Sequence, residues 1–271
     1  MNEPLLSVKN LTIDYIGEEK DFRAVDNVSF DVAPGEVFGL AGESGCGKST
    51  IAFAISRLHK PPALIRKESR IMLAGRDVLD LDPNALAAFR WREVAMVFQS
   101  AMNSLNPVLR IEDQFYDVLR THKGMTKAEA RERTAEMLRL VDIAPERMRN
   151  YPHQFSGGMR QRIVIAICMA LDPKLVVMDE PTTALDVVVQ REILQRINEL
   201  RRRFGFSVLF ITHDLGLMVQ FCDRIGIMLA GKLVEQNAAQ EIYRSPQHEY
   251  TKKLWASFPS LHGAKIRDGV L

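Results

Sequence analysis

Apolar and polar residues alternate along Leu5 to Tyr15 and again along Ala24 to Val32, and this period of two predicts half-buried antiparallel strands. Val37 to Ala41 is a continuous apolar run, the pattern of a strand covered on both faces. Ile51, Phe53, Ala54, Ile55 and Leu58 then fall at helical spacing. Arg70 to Ala74 and Val94 to Phe98 return to a strand pattern, with a helical stretch from Asn84 to Arg90 between them. From about Ile111 to Leu171 the chain reads as helical, and Thr126-Lys-Ala-Glu129 has the form of a capping box ahead of Ala135, Leu138 and Leu140. Strand patterns resume at Leu175 to Asp179, Ser207 to Thr212 and Arg224 to Leu229. A helix from Val189 to about Arg203 lies between the first two and ends at Gly205. Arg201 to Arg203 belong to that helix end, where cations suit the dipole beside a glycine cap. Alternating strands and helices predict an α/β core interrupted by a helical insertion.

Composition narrows the class. The 271 residues are 46% hydrophobic and 26% charged, ordinary for a globular chain, and the net charge of +2 shows no bulk affinity for nucleic acid. Met1-Asn2-Glu3-Pro4 lacks the basic and apolar regions of a secretory signal, and no apolar run approaches the roughly 20 residues that span a bilayer. Cys46, Cys168 and Cys222 are far apart, which fits reduced thiols better than a disulfide or zinc site.

The chemistry concentrates at three places. Gly42-Glu43-Ser44-Gly45-Cys46-Gly47-Lys48-Ser49-Thr50 is a glycine-rich turn between the Val37 to Ala41 strand and a helix. Glycines there let backbone N–H groups approach phosphates, the helix N-terminus adds its dipole, Lys48 adds a point charge, and the Ser49 hydroxyl suits Mg²⁺. That context implies a nucleoside triphosphate. Leu175-Val-Val-Met-Asp179-Glu180 is an apolar strand ending in two carboxylates: Asp179 suits a place by the metal, and Glu180 can orient or deprotonate a water. Phe155-Ser156-Gly157-Gly158-Met159-Arg160-Gln161-Arg162 opens a further helix with a second anion-binding turn. One phosphate loop in a chain has no use for two cradles unless the second serves a neighbouring molecule, so a dimer with nucleotide at its interface is expected.

With these motifs in order, the sequence resembles the nucleotide-binding subunits of ABC transporters over almost its whole length. The phosphate loop matches the family's Walker A motif and Leu175 to Asp179 its Walker B. Ser156 to Gly158 match the signature loop, Gln99 the Q-loop, Ala184-Leu185-Asp186 the D-loop, and His213 the switch histidine. Tyr15 stands where the family has an aromatic ring on adenine. The resemblance implies a P-loop NTPase core of ABC type with an N-terminal antiparallel β subdomain and an inserted helical subdomain. It assigns 1–99 and 172–240 to the core, 100–171 to the helical subdomain and 241–271 to a tail. It also implies ATP and Mg²⁺ as ligands. Glu180, His213, Gln99 and Lys48 would be catalytic. Tyr15, Ser44, Gly45, Cys46, Gly47, Lys48, Ser49, Thr50, Gln99 and His213 would hold nucleotide, with Gln154, Ser156, Gly157 and Gly158 covering it. Ser49, Gln99 and Asp179 would surround the metal.

Gln99-Ser-Ala-Met-Asn-Ser-Leu-Asn-Pro107, Tyr151 to Arg162, Pro181 to Gln190 and Ser245 to Leu254 are similar to the oligopeptide and dipeptide importers, whose relatives carry nickel or oligosaccharides. Such subunits lie on the cytoplasmic face of the membrane. They act with a second ABC ATPase subunit, a homologue or another copy, and with two membrane permeases fed by an extracytoplasmic binding protein. Residues 100 to 116 would meet the permease. Several members continue into a cysteine-rich segment, whereas no cysteine follows Cys222, so no iron–sulfur cluster is expected. ABC-type ATPases acting on DNA or ribosomes are the alternative class. They are disfavoured because no coiled-coil insertion and no second cassette occurs, and no nucleic-acid partner is expected.

Overall fold

The structure is a computed structural model that describes residues 3–99, 103–182 and 185–257. In chain order the elements are β1 (Leu6–Tyr15), β2 (Phe22–Val32), β3 (Val37–Ala41), α1 (Lys48–Ile55), β4 (Ala63–Ile65), β5 (Arg70–Leu73), β6 (Arg76–Asp77), α2 (Pro83–Phe89), β7 (Val94–Val97), α3 (Ile111–Lys123) and α4 (Lys127–Leu140). They continue as α5 (Gly157–Met169), β8 (Leu175–Asp179), α6 (Val187–Phe204), β9 (Ser207–Ile211), α7 (Leu215–Phe221), β10 (Arg224–Leu229), β11 (Lys232–Ala238), α8 (Ala239–Arg244) and α9 (Glu249–Ser257). The described residues divide into two compact units, one drawn from 1–80 and 208–271 and one from 81–207.

In the first unit, β1 is the centre of an antiparallel sheet in the order β2-β1-β5-β6, with β4 also paired to β1. The alternation on β1 changes phase: Leu6 and Val8 are buried, then Leu11 and Ile13. A register shift between Val8 and Leu11 absorbs the extra residue, and Asn10 there adopts φ +51°, a left-handed conformation that Asn tolerates. The same unit holds the strand series β11-β10-β3-β9, in which β3 lies parallel to both β10 and β9. Every residue of β3 and β9 is buried, which explains why neither alternates. Helix α1 buries Ile51, Ala52, Ala54 and Ile55 but stops short of Leu58, with Arg57 at φ +49° after its cap.

Asp14 is 2% exposed and receives Arg23 Nε at 2.9 Å and Arg66 Nε at 2.5 Å. Hydrogen bonds from Arg23 and then Arg66 hold its carboxyl below the ordinary aspartate range against the opposing effect of burial. A depressed pKa adds stability above the ordinary value, and that stability disappears as pH falls through the folded-state value. Asp14→Asn should therefore destabilise the protein by about 1–3 kcal/mol at pH 7, the usual worth of a hydrogen bond to a charged group. Thermal unfolding of both proteins should show the gap closing as pH is lowered into the acid range.

In the second unit, β7 and β8 pair in parallel. The capping box at Thr126 and Glu129 forms as its sequence predicts, opening α4. The buried face of α4 is Ala130, Thr134, Met137 and Leu138, while Ala135 and Leu140 are only half-buried. Helix α5 buries every residue from Ile163 to Met169, so its apolar run carries no one-sided face. Asp186 caps α6, and Gly205 ends it at φ +73°.

Candidate functional site

The phosphate loop runs from the end of β3 into α1 within the first unit. Gly42, Gly45 and Gly47 have φ of +144°, +79° and +102°, conformations that a side chain resists. A Cβ on Gly42 would lie 2.3 Å from the Met228 carbonyl oxygen, and one on Gly47 would lie 2.4 Å from that of Ala24. The glycines therefore serve both the turn and its tight seat. Ser44, Gly45 and Ser49 face outward while Cys46, Gly47 and Lys48 are buried. Lys48 Nζ donates to the carbonyl oxygens of Gly42 and Glu43, each at 2.7 Å, with Cys46 Sγ at 3.5 Å. The start of α1 has no side-chain cap and no acidic residue in its first turn, which leaves its N–H groups and positive dipole end to an anion. Tyr15 Oη lies 3.5 Å from Thr50 Oγ1, which puts the ring at the same loop. His213 is exposed just beyond β9, ahead of Asp214, which caps α7 through Leu217 N.

The second unit carries the carboxylates. Asp179 ends β8 and is 5% exposed. Glu180 follows at φ +47°, a strained backbone state for this residue type. Gln99 Nε2 donates to Glu180 Oε2 at 2.9 Å, bringing together the Q-loop and the candidate base. Ser156 caps α5, accepting from Met159 N at 3.3 Å, and Gly157 and Gly158 form its first turn without an acidic residue. Gln154 is exposed, and its Oε1 accepts from Tyr151 N. Arg147 braces this turn by donating to the Gln154 carbonyl at 2.7 Å and stacking 4.3 Å over the Phe155 ring. Sequence reading did not attach Arg147 to the motif, because an arginine on another turn leaves no local signal. Ala184 and residues 100–102 lie outside the described residues, so the D-loop and the start of the Q-loop segment are not described in full.

Within the first unit, the uncapped start of α1 and the buried Lys48 ammonium suit phosphate oxygens, and the Ser49 hydroxyl is a hard oxygen donor of the kind Mg²⁺ takes. Within the second unit, the Asp179 carboxylate is another such donor.

The fold and these motifs define a P-loop ATPase of the ATP-binding cassette class. A family model described as ABC transporter matches residues 25–183. A second, described as AAA domain, putative AbiEii toxin, matches residues 149–219. The chain is 43% identical to the dipeptide transport ATP-binding protein DppD of Bacillus subtilis, covering 97% of this chain and 80% of that one. It is 42% identical to the oligopeptide transport ATP-binding protein OppD of Salmonella typhimurium, covering 95% and 77%. A peptidoglycan transport ATP-binding protein, YejF of Agrobacterium fabrum, is 47% identical over 95% of this chain, which spans 47% of that protein's length. Among solved structures, the ATP-binding cassette MJ0796, a dimer in a post-hydrolysis state bound to ADP and Pi, aligns with TM-score 0.75 and 30% identity over 86% of this chain and 98% of that one. The chain belongs to the ATP-binding proteins of ABC transporters. Among the described residues no helix is long and apolar enough to cross a membrane.

Proposed function

We propose that this chain is the ATP-hydrolysing subunit of a peptide importer, acting with a second ABC ATPase subunit and two membrane permeases on the cytoplasmic face of the membrane. The cargo class is taken from the relatives named for dipeptide and oligopeptide transport. The observation that carries a transport-coupled ATPase is the 2.9 Å bond from Gln99 to Glu180. It ties the proposed water-activating carboxylate to the segment that would face the permease. In this reading Lys48 and the loop N–H groups bind the ATP phosphates, and Tyr15 packs on the adenine. Ser156 to Gly158 and Gln154 cover the nucleotide of the partner ATPase, and His213 contacts its own γ-phosphate. Ser49, Asp179 and Gln99 would hold Mg²⁺, which when bound neutralises charge on the phosphates. The helices of residues 100–171 act as the arm that carries the signature motif.

Beside Gln99, Trp91, Met96, Phe98, Leu105, Leu109 and Ile167 line a cavity of about 350 Å³. Phe98 and Leu109 are 41% and 40% exposed, and neighbouring Val108 is 76% exposed. Cys168 at its floor is inert: burial pushes its thiol up to about 12. A permease helix seated there would cover these apolar side chains. Leu109→Glu should reduce recovery of the permeases roughly tenfold or more in affinity purification from native membranes, since burying one leucine is worth about 1.5–3 kcal/mol. ATP binding by the purified subunit should be unchanged. Co-purification of two permeases, a second ATPase and a peptide-binding protein supports the importer. Recovery of ribosomes or DNA-repair proteins would leave an ATPase and remove the transport role.

A further inference from the structure

The ATPase chemistry above makes no use of the C-terminal helix α9, yet α9 touches the phosphate loop. Tyr250, in its first turn, accepts a hydrogen bond at its hydroxyl from Glu43 N at 3.3 Å, across 207 residues of sequence. Glu43 N and the Gly42 carbonyl belong to one peptide unit. Its oxygen receives Lys48 Nζ at 2.7 Å, so the same rigid plane is held by Lys48 on one side and Tyr250 on the other. Gly42, at φ +144°, has no side chain to restrict rotation of that plane, which makes an external hold consequential.

The seat of α9 is itself built. On β11, Glu235 accepts from Gln247 N at 2.8 Å and from His248 N at 3.0 Å, fixing the approach to the helix. Burial would raise its carboxyl pKa, but these amide donors hold it below the ordinary range. His248 Nδ1 accepts from Tyr250 N at 3.1 Å, and Thr251 is fully buried. At the far end Trp255 Nε1 donates to the Ile242 carbonyl at 2.9 Å, and its ring meets Tyr243 edge-on at 5.1 Å. Burial raises the Tyr250 phenol above the ordinary tyrosine range, against the lowering effect of the Glu43 N–H that it accepts.

We propose that Tyr250 is a positioning residue for ATP binding: it holds the Gly42–Glu43 peptide so that its carbonyl seats Lys48, and thereby couples the C-terminal helix to the phosphate loop. This rests on the loop being the ATP cradle. The residue touches no reacting atom and acts through Lys48.

Tyr250→Phe deletes the hydroxyl and keeps the ring. In the purified full chain, hydrogen–deuterium exchange at Glu43 should become faster by about 2- to 10-fold, the range of a single neutral hydrogen bond. ATP affinity should weaken and the ATP KM rise by a similar factor, with kcat within about twofold. Glu235→Gln, which loses one amide acceptor and leaves the loop untouched, should shift exchange and KM the same way by less, and thermal unfolding reports whether either variant has lost the fold. Unchanged Glu43 exchange together with unchanged KM in Tyr250→Phe overturns the proposal. If Lys48→Ala also keeps full ATP affinity, the cradle assignment fails and takes the positioning role with it.

Discussion

Glu180→Gln slows ATP turnover by about 100- to 1,000-fold and leaves ATP affinity within about twofold, the expected outcome if Glu180 is the general base. The substitution isolates proton acceptance. Glutamine has the shape of glutamate and its Oε1 still accepts from Gln99 Nε2, so the 2.9 Å link survives. The strained backbone at φ +47° is equally available to both residues. What is lost is a carboxylate able to take a proton from water. Weakening the Gln99 bond from charged to neutral accounts for only about 1 kcal/mol, roughly fivefold, so the size of the effect separates the two causes. Gln99→Ala keeps the carboxylate but frees it to turn, and should cost about tenfold. Phosphate release at saturating ATP in the assembled transporter, alongside equilibrium ATP binding, measures both. Turnover of Glu180→Gln within tenfold of the parent removes Glu180 as the base.

Lys48→Ala has the other large effect, on binding. Lys48 is 6% exposed, and its ammonium is held at 2.7 Å by two loop carbonyls. An ATP phosphate would add a full negative charge to the neutral oxygens that seat it. Losing one partner of such a buried charge contact costs about 2–5 kcal/mol, so ATP affinity should fall by roughly 30- to 1,000-fold or more. Lys48→Arg should not restore it, because a planar guanidinium does not fit a pocket shaped around a compact ammonium. Calorimetric titration with ATP reads the loss, and thermal unfolding checks that the loop carbonyls left without a donor have not melted the unit. Affinity within threefold of the parent would contradict the phosphate cradle.

The local part of this architecture was legible where one segment makes its own structure. Thr126 and Glu129 close their capping box over three residues, and Gly205 ends α6 because a left-handed residue is needed there. The buried strands β3, β8 and β9 announced themselves by unbroken apolar runs. Other features escaped. The phase change in β1 looks like imperfect alternation until Asn10 is seen to absorb a residue. Leu58 continues the apolar spacing of α1, yet Arg57 has already left the helix. Strands β4 and β6 are three and two residues long, and β11 is a mostly exposed edge, too short or too polar for periodicity to register.

The candidate site residues were legible in the sequence alone: the glycines after β3, Lys48, Asp179 and Glu180 at the end of β8 and the small residues opening α5 each need particular atoms in a particular local order. Tertiary structure alone decided which distant atoms answer one another. Gln99 meets Glu180 across 81 residues, and Tyr250 meets Glu43 across 207. A motif records the demands of one backbone segment on its own side chains. A contact between segments depends on how sheets and helices pack, and that packing energy is spread over many apolar residues, none of which names the pair it brings together.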